Sequence, residues 1–102
     1  PFILVKRAID SVLCQDFSDI EVIVIDDGSN NDTHNQILNY AKYHEGKITY
    51  LRHTNCGQSR SINRGILNSN GKYIAILDAD DEYATNHLSN CLAQMRRLLR
   101  TR

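Results

Sequence analysis

The chain has 102 residues, 12 basic and 12 acidic side chains, a formal net charge of zero and 41% hydrophobic residues. That length describes one domain, 1–102, able to remove about two-thirds of its unfolded surface from water. Zero net charge supplies no pull toward nucleic acid, and no apolar run approaches the length of a membrane span.

Cys14, Cys56 and Cys91 are odd in number and far apart, with no Cys-x-x-Cys pair. That argues against a disulfide framework and against a zinc site, and fits a reducing compartment. The four histidines share no ligand-like spacing, so each reads as surface or core. The chain opens at Pro1 with no initiator Met and no secretory signal, as expected of a piece of something longer.

Residues 3–15 read as an amphipathic helix. Val5, Ala8, Ile9, Val12 and Leu13 recur at helical spacing, with Lys6, Arg7 and Asp10 on the other side. Gln15 to Asp19 breaks the pattern as a loop. Ile20 to Ile25 follows as a strand, and its consecutive β-branched residues suit a central strand buried on both faces. It runs into Asp26-Asp27-Gly28-Ser29-Asn30-Asn31-Asp32-Thr33, a cluster of turn and cap residues. There Gly28 permits a backbone angle that other residues avoid, and Asp32 or Thr33 is placed to cap the next helix. That helix, 33–45, turns Ile37, Leu38 and Ala41 inward and stops near Gly46. Ile48 to Arg52 is a second strand. Asn55 to Ser59 leads into a helix through Ile62, Ile66 and Leu67. The last helix, 85–100, carries Leu88, Cys91, Leu92, Met95, Leu98 and Leu99 at helical spacing. Arg96, Arg97, Arg100 and Arg102 crowd its end, where cations complement the helix dipole.

Between those last two helices, Lys72 to Asp81 is an apolar run of strand length that closes on Asp78, Asp80 and Asp81. In an extended backbone, side chains at i and i+2 point the same way. Asp78 and Asp80 therefore aim together off the end of a third strand, while Ala79 faces away. Two carboxylates held that close raise each other's pKa unless a cation sits between them. A hard divalent ion, Mg2+ or Mn2+, suits oxygen ligands of this kind, with a substrate phosphate completing its shell. The plainer alternative is a solvated acidic turn.

Strands alternating with helices imply a parallel sheet of right-handed crossovers, whose ligands bind at the carboxyl ends of the strands. Asp26-Asp27 and Asp78-Asp80 both stand at such ends, so the two clusters are expected to share one rim. Side chains of Asp26 and Asp27 alternate, so one carboxylate of the pair reaches the ligand. An acceptor-only group there suits N–H or O–H donors on a base or ribose. Turn hydrogen bonding and helix capping are the structural alternative for this pair. The chain has no Gly-x-x-x-x-Gly-Lys loop and no Gly-x-Gly-x-x-Gly.

Four motifs in order carry a family resemblance. They are Ala8-Ile9 with Ser11-Val12-Leu13-x-Gln15; Glu21 to Ser29 followed by Asp32-Thr33; Asn55-x-Gly57-x-Ser59 with Asn63-x-Gly65-Ile66; and Gly71 to Asp81. Together they resemble the glycosyltransferase family 2 enzymes over nearly the whole chain. The resemblance implies an α/β fold of GT-A type, a three-layer sandwich around a mainly parallel sheet. This chain would lack the family's first strand, which belongs in the middle of the sheet, and the acceptor half.

It also implies a nucleotide-diphospho-sugar donor, UDP- or GDP-linked, and a saccharide or lipid-linked acceptor whose hydroxyl takes the sugar with inversion. Carried over, Asp27, with Asp26, contacts the nucleoside. Asp80 is the principal ligand of Mg2+ or Mn2+, Asp78 contacts ribose or metal, and Asp81 stands behind them. Lys72 and Arg60 are donors to phosphate. Many relatives carry an Arg where this chain has Ile62, with Arg60 and Arg64 as neighbours able to substitute. The catalytic base is expected outside this segment. The family's habit implies a cytoplasmic location, including the inner face of the membrane for a longer parent protein. Two other readings stay open: a non-catalytic nucleotide-binding remnant, and a signalling receiver domain, which would need a Lys at the end of a late strand.

Overall fold

A computed structural model of the chain describes residues 2–16, 19–44, 46–78 and 81–100. Elements form where the apolar period changes: α1 Phe2–Leu13, β1 Val22–Asp27, α2 Asn31–Tyr43, β2 Ile48–His53, α3 Gln58–Leu67 and α4 His87–Arg100. β1 and β2 pair in parallel, in a register that runs from Val22 beside Ile48 to Asp27 beside His53. A parallel pair needs a crossover, and α2 supplies it. β1 starts two residues later than the expected strand, at the first of its consecutive β-branched residues, where the Val22 N–H reaches the Lys47 carbonyl (3.2 Å).

Side-chain parity assigns the layers. Val22, Val24 and Asp26 share one face of β1 with Tyr50 of β2, and His34 of α2 meets Tyr50 there (2.8 Å). Ile23, Ile25 and Asp27 share the opposite face with His53, where α3 packs. Helix, sheet, helix is thus the order of layers. On α3 the residues turned to the sheet are small. Ser61 is buried, and a Cβ on Gly65 would lie 3.5 Å from Ile25 Cγ1, so this helix sits close to β1. Leu67, by contrast, is 76% exposed.

The core is on the other side, where Ala8, Ile9, Val22, Ile37 and Ala41 are buried between α1, α2 and β1. Around it, Tyr40 stands edge-on to Phe2 at 6.0 Å, and its hydroxyl donates to Asp10, which also holds Lys6 (2.7 Å). The cap of α2 is Asn30, not Asp32 or Thr33: its side chain accepts the Thr33 N–H (2.8 Å). An Asn at this position turns the chain out of β1 and leaves Asp32 in the first helical turn, where its charge suits the dipole.

α1 also holds the far end of the chain. The Ser11 hydroxyl oxygen accepts the Tyr83 N–H (3.0 Å). The Gln15 amide donates to the Ala84 carbonyl (2.7 Å) and accepts the Leu88 N–H (3.0 Å), capping the start of α4. Glu21 accepts the Asn70 N–H (3.0 Å), which ties the end of α3's linker to the entry of β1.

One expected element is corrected. Residues 72–78 form no strand: Ile74 and Ile76 are 50% and 57% exposed, and no ladder joins them to β1. A strand is maintained by its neighbour, and the neighbour that the resemblance puts between β1 and this stretch is not among the described elements. Of the loop after α1, Phe17 and Ser18 lie outside the described residues, as do Arg102 and the side chains of Arg96, Arg97 and Arg100 at the basic end of α4.

Candidate functional site

The carboxyl ends of β1 and β2 form a polar rim in which consecutive acids face opposite ways. Asp26 is 5% exposed. Its Oδ1 accepts the Ser29 N–H (2.9 Å), and its Oδ2 accepts the Ser29 and Tyr50 hydroxyls, with Arg52 Nε at 3.8 Å. Because the Tyr50 hydroxyl gives its proton to Asp26, His34 Nδ1 must donate to Tyr50. Burial pulls the Asp26 carboxyl upward, but Ser29, Tyr50 and Arg52 outweigh it and hold the group below the usual carboxylate range. Burial, reinforced by the bond to Asp26, pushes the Tyr50 hydroxyl up. Arg52 Nη2 also donates to the Ser29 carbonyl (2.8 Å), closing the turn.

Asp27 reaches the turn after β2. It accepts the Cys56 N–H (2.7 Å) and the Gly57 N–H (3.2 Å), and His53 Nε2 lies 3.0 Å from its Oδ1. The Cys56 N–H above all holds this carboxyl low; desolvation opposes it, and the Gly57 N–H and His53 add to the lowering. Arg64 Nη1 lies 2.9 Å from His53 Nδ1. A guanidinium only donates, so Nδ1 is the acceptor and the ring proton sits on Nε2, shared between Asp27 and Ser61 Oγ (3.1 Å). Asp and Ser meet the same ring nitrogen, so this is no relay that would activate Ser61. A carboxylate offers about four acceptor positions. Three are taken here, leaving Asp27 able to receive a further donor, whereas Asp26 is buried. Gly28, at φ +89°, permits the approach of the two turns: a Cβ there would stand 3.1 Å from Asn55 N.

The second acidic cluster is placed less fully. Asp78 is exposed, and its carbonyl accepts the Asp81 N–H (3.0 Å). Asp80 lies outside the described residues. The rim described here is the one built by the carboxyl ends of β1 and β2. As a donor, Asp78 still fits a hard cation: Mg2+ is commonly held by one or two carboxylates with substrate phosphates. Arg60 and Lys72 are exposed, and Arg64 is engaged with His53. No strand follows Asp81 among the described residues, so none of them offers the late-strand Lys that a receiver domain needs.

His53, Cys56 and Ser61 belong to the network at Asp27 although the sequence reading gave them no role, and Arg64, expected only as a stand-in near Ile62, joins them through His53. One faint signal was present, His53-x-x-Cys56 after a strand. Its third member comes from register, since Asp27 is opposite His53.

The family model for glycosyl transferase family 2 matches residues 4–99. The chain belongs to this family. Among its relatives is an uncharacterized glycosyltransferase of Rickettsia prowazekii, 38% identical over 91% of this chain and 28% of the relative. An uncharacterized glycosyltransferase of Nostoc is 37% identical over 81% of the chain and 26% of its own length. A Campylobacter jejuni relative named GalNAc(5)-diNAcBac-PP-undecaprenol beta-1,3-glucosyltransferase is 35% identical over 88% of the chain and 29% of its own length. The chain therefore spans under a third of each of these relatives. The layered α/β arrangement is that of a GT-A-type fragment of family 2. No helix among the described residues is long and apolar enough to cross a membrane.

Proposed function

We propose that this chain is the donor-binding part of an inverting, metal-dependent glycosyltransferase that moves a sugar from a nucleotide-diphospho-sugar to an acceptor hydroxyl. The observation that carries the reading is Asp27: an accessible carboxylate at the carboxyl end of a parallel strand in a family 2 chain, with acceptor capacity to spare. In this reading Asp27 accepts an N–H or O–H of the nucleoside. Asp26, buried on the other face, keeps the Ser29 turn shaped so that Asp27 is presented. Asp78 and Asp80 would hold Mg2+ or Mn2+, Asp80 as the principal ligand. When bound, such an ion supplies Lewis acidity to the leaving diphosphate, of the order of several kcal/mol.

The base that takes the acceptor proton is assigned to the part of the protein beyond this segment. UDP and GDP are the donor nucleotides considered. The name of the Campylobacter relative supports a lipid-linked saccharide as acceptor; work at the cytoplasmic face of a membrane belongs to the same proposal.

The test is thermal unfolding of the intact polypeptide with Mn2+ and UDP or GDP. At about 100 times the dissociation constant, a bound nucleotide should add about 2.7 kcal/mol of stability. The shift should need both metal and nucleotide and should shrink in Asp27→Asn. If neither nucleotide moves the transition in any metal, the reading fails.

A further inference from the structure

We propose that Asp27, His53 and Cys56 form a second cation site, selective for a borderline metal such as Zn2+, that Arg64 keeps closed until the metal displaces it. The proposal goes beyond donor binding and does not rest on it. One donor atom from each residue, a carboxylate oxygen, a ring nitrogen and the Cys56 sulfur, lies within 4.8 Å of the other two. Zinc bonds of about 2.0–2.3 Å in a tetrahedron place ligand atoms about 3.3–3.8 Å apart, so a closure of about 1–1.5 Å at most, with a slight opening of the nitrogen–carboxylate pair, completes three corners. His53 Nε2 and Asp27 Oδ1 are already 3.0 Å apart. A thiolate, an imidazole and one carboxylate are a borderline-soft set, unlike the all-oxygen surroundings that Mg2+ and Mn2+ take.

The frame is built rather than accidental. Asp27 and His53 are register partners on adjacent strands, and the Cys56 N–H bond to Asp27 anchors the backbone from which the sulfur projects. Cys56 is exposed, so metal can enter and water or a ligand can take the fourth corner.

Arg64 is the gate. While its guanidinium donates to Nδ1, the ring proton stays on Nε2 and no lone pair faces the site. Metal on Nε2 moves that proton to Nδ1, which then confronts a donor across 2.9 Å. Arg64 must swing away. A side chain able to accept from Nδ1–H would instead support the metal-bound tautomer, as partners of ligating histidines usually do.

The experiment is titration of the intact, reduced polypeptide with Co2+ as spectroscopic stand-in for Zn2+, without nucleotide. Wild type should develop tetrahedral d–d bands and a thiolate-to-cobalt charge-transfer band, both bleached by one equivalent of Zn2+. Cys56→Ser, a change at an exposed side chain, should abolish the charge-transfer band, and Cys14→Ser and Cys91→Ser should leave it intact. Arg64→Gln should tighten Co2+ binding by about ten-fold or more. The proposal is overturned if no thiolate band forms, if the band survives Cys56→Ser, or if Arg64→Gln binds no more tightly than wild type. A failed nucleotide shift leaves these spectra unaffected, so the two readings fall separately.

Discussion

Asp26 and Asp27 are neighbours in the chain, yet their carboxylates answer to different parts of the molecule. Asp26 closes its own turn through Ser29 and braces β2 through Tyr50, while Asp27 shapes the turn on the far side of the pair. Their presence after a strand was readable from spacing alone. Which one is accessible followed only from parity against Tyr50 and His53, which depends on register. Gly28 is the residue on which this geometry turns most sharply. Gly28→Ala combines a left-handed backbone angle with a contact at 3.1 Å against the Asn55 backbone. It should cost about 1–2 kcal/mol from the backbone alone, read as a fall in the thermal midpoint, with weakened nucleotide binding because both turns move. An unchanged midpoint would mean that the two turns do not meet as described.

At the scale of elements, helices and paired strands were legible because the apolar period changes from 3.6 to continuous and back. Residues 72–78 were not, since their strand-like composition reports what they could pair with rather than whether a partner is there. The Ser11 to Gln15 motif was visible as a pattern without a role; the structure assigns it one. Gln15 caps α4 and holds the Ala84 carbonyl across a long sequence separation. Gln15→Ala removes these two bonds and a third to the Ser11 carbonyl, and should destabilise the chain by about 1–3 kcal/mol. Amide hydrogen exchange offers the check: faster exchange should appear at Leu88 and the first turn of α4 and leave β1 and β2 untouched. Uniform acceleration along the chain would indicate that α4 is no separate unit.

For the whole molecule, three carboxyls with lowered pKa values, Asp10, Asp26 and Asp27, each join elements that are not adjacent in sequence. Asp10 ties α1 to α2, Asp26 ties β1 to β2, and Asp27 ties β1 to the turn before α3. A depressed carboxyl pKa contributes stability that is complete above the unfolded value of 3.8 and drains away as pH falls through the lower native value. Circular dichroism against pH should therefore show unfolding that begins near pH 4 and deepens below it. Asp26→Asn should start less stable at neutral pH and show a shallower acid slope. A slope as steep as wild type would move the acid sensitivity elsewhere.

The stretch bearing Asp78 is moored at both banks, by Glu21 to Asn70 on one side and by Ser11 to Tyr83 on the other. Most of the entropy lost in closing a loop is spent in bringing its ends together, and it grows only slowly with length. Here folding has met that cost before any ligand arrives. In the proposed function, a nucleotide drawing Asp78 toward the rim would have only the middle of a bridge to pull taut, so its grip would be strong for few contacts. Cutting either mooring should weaken that grip without touching a single ligand-facing atom.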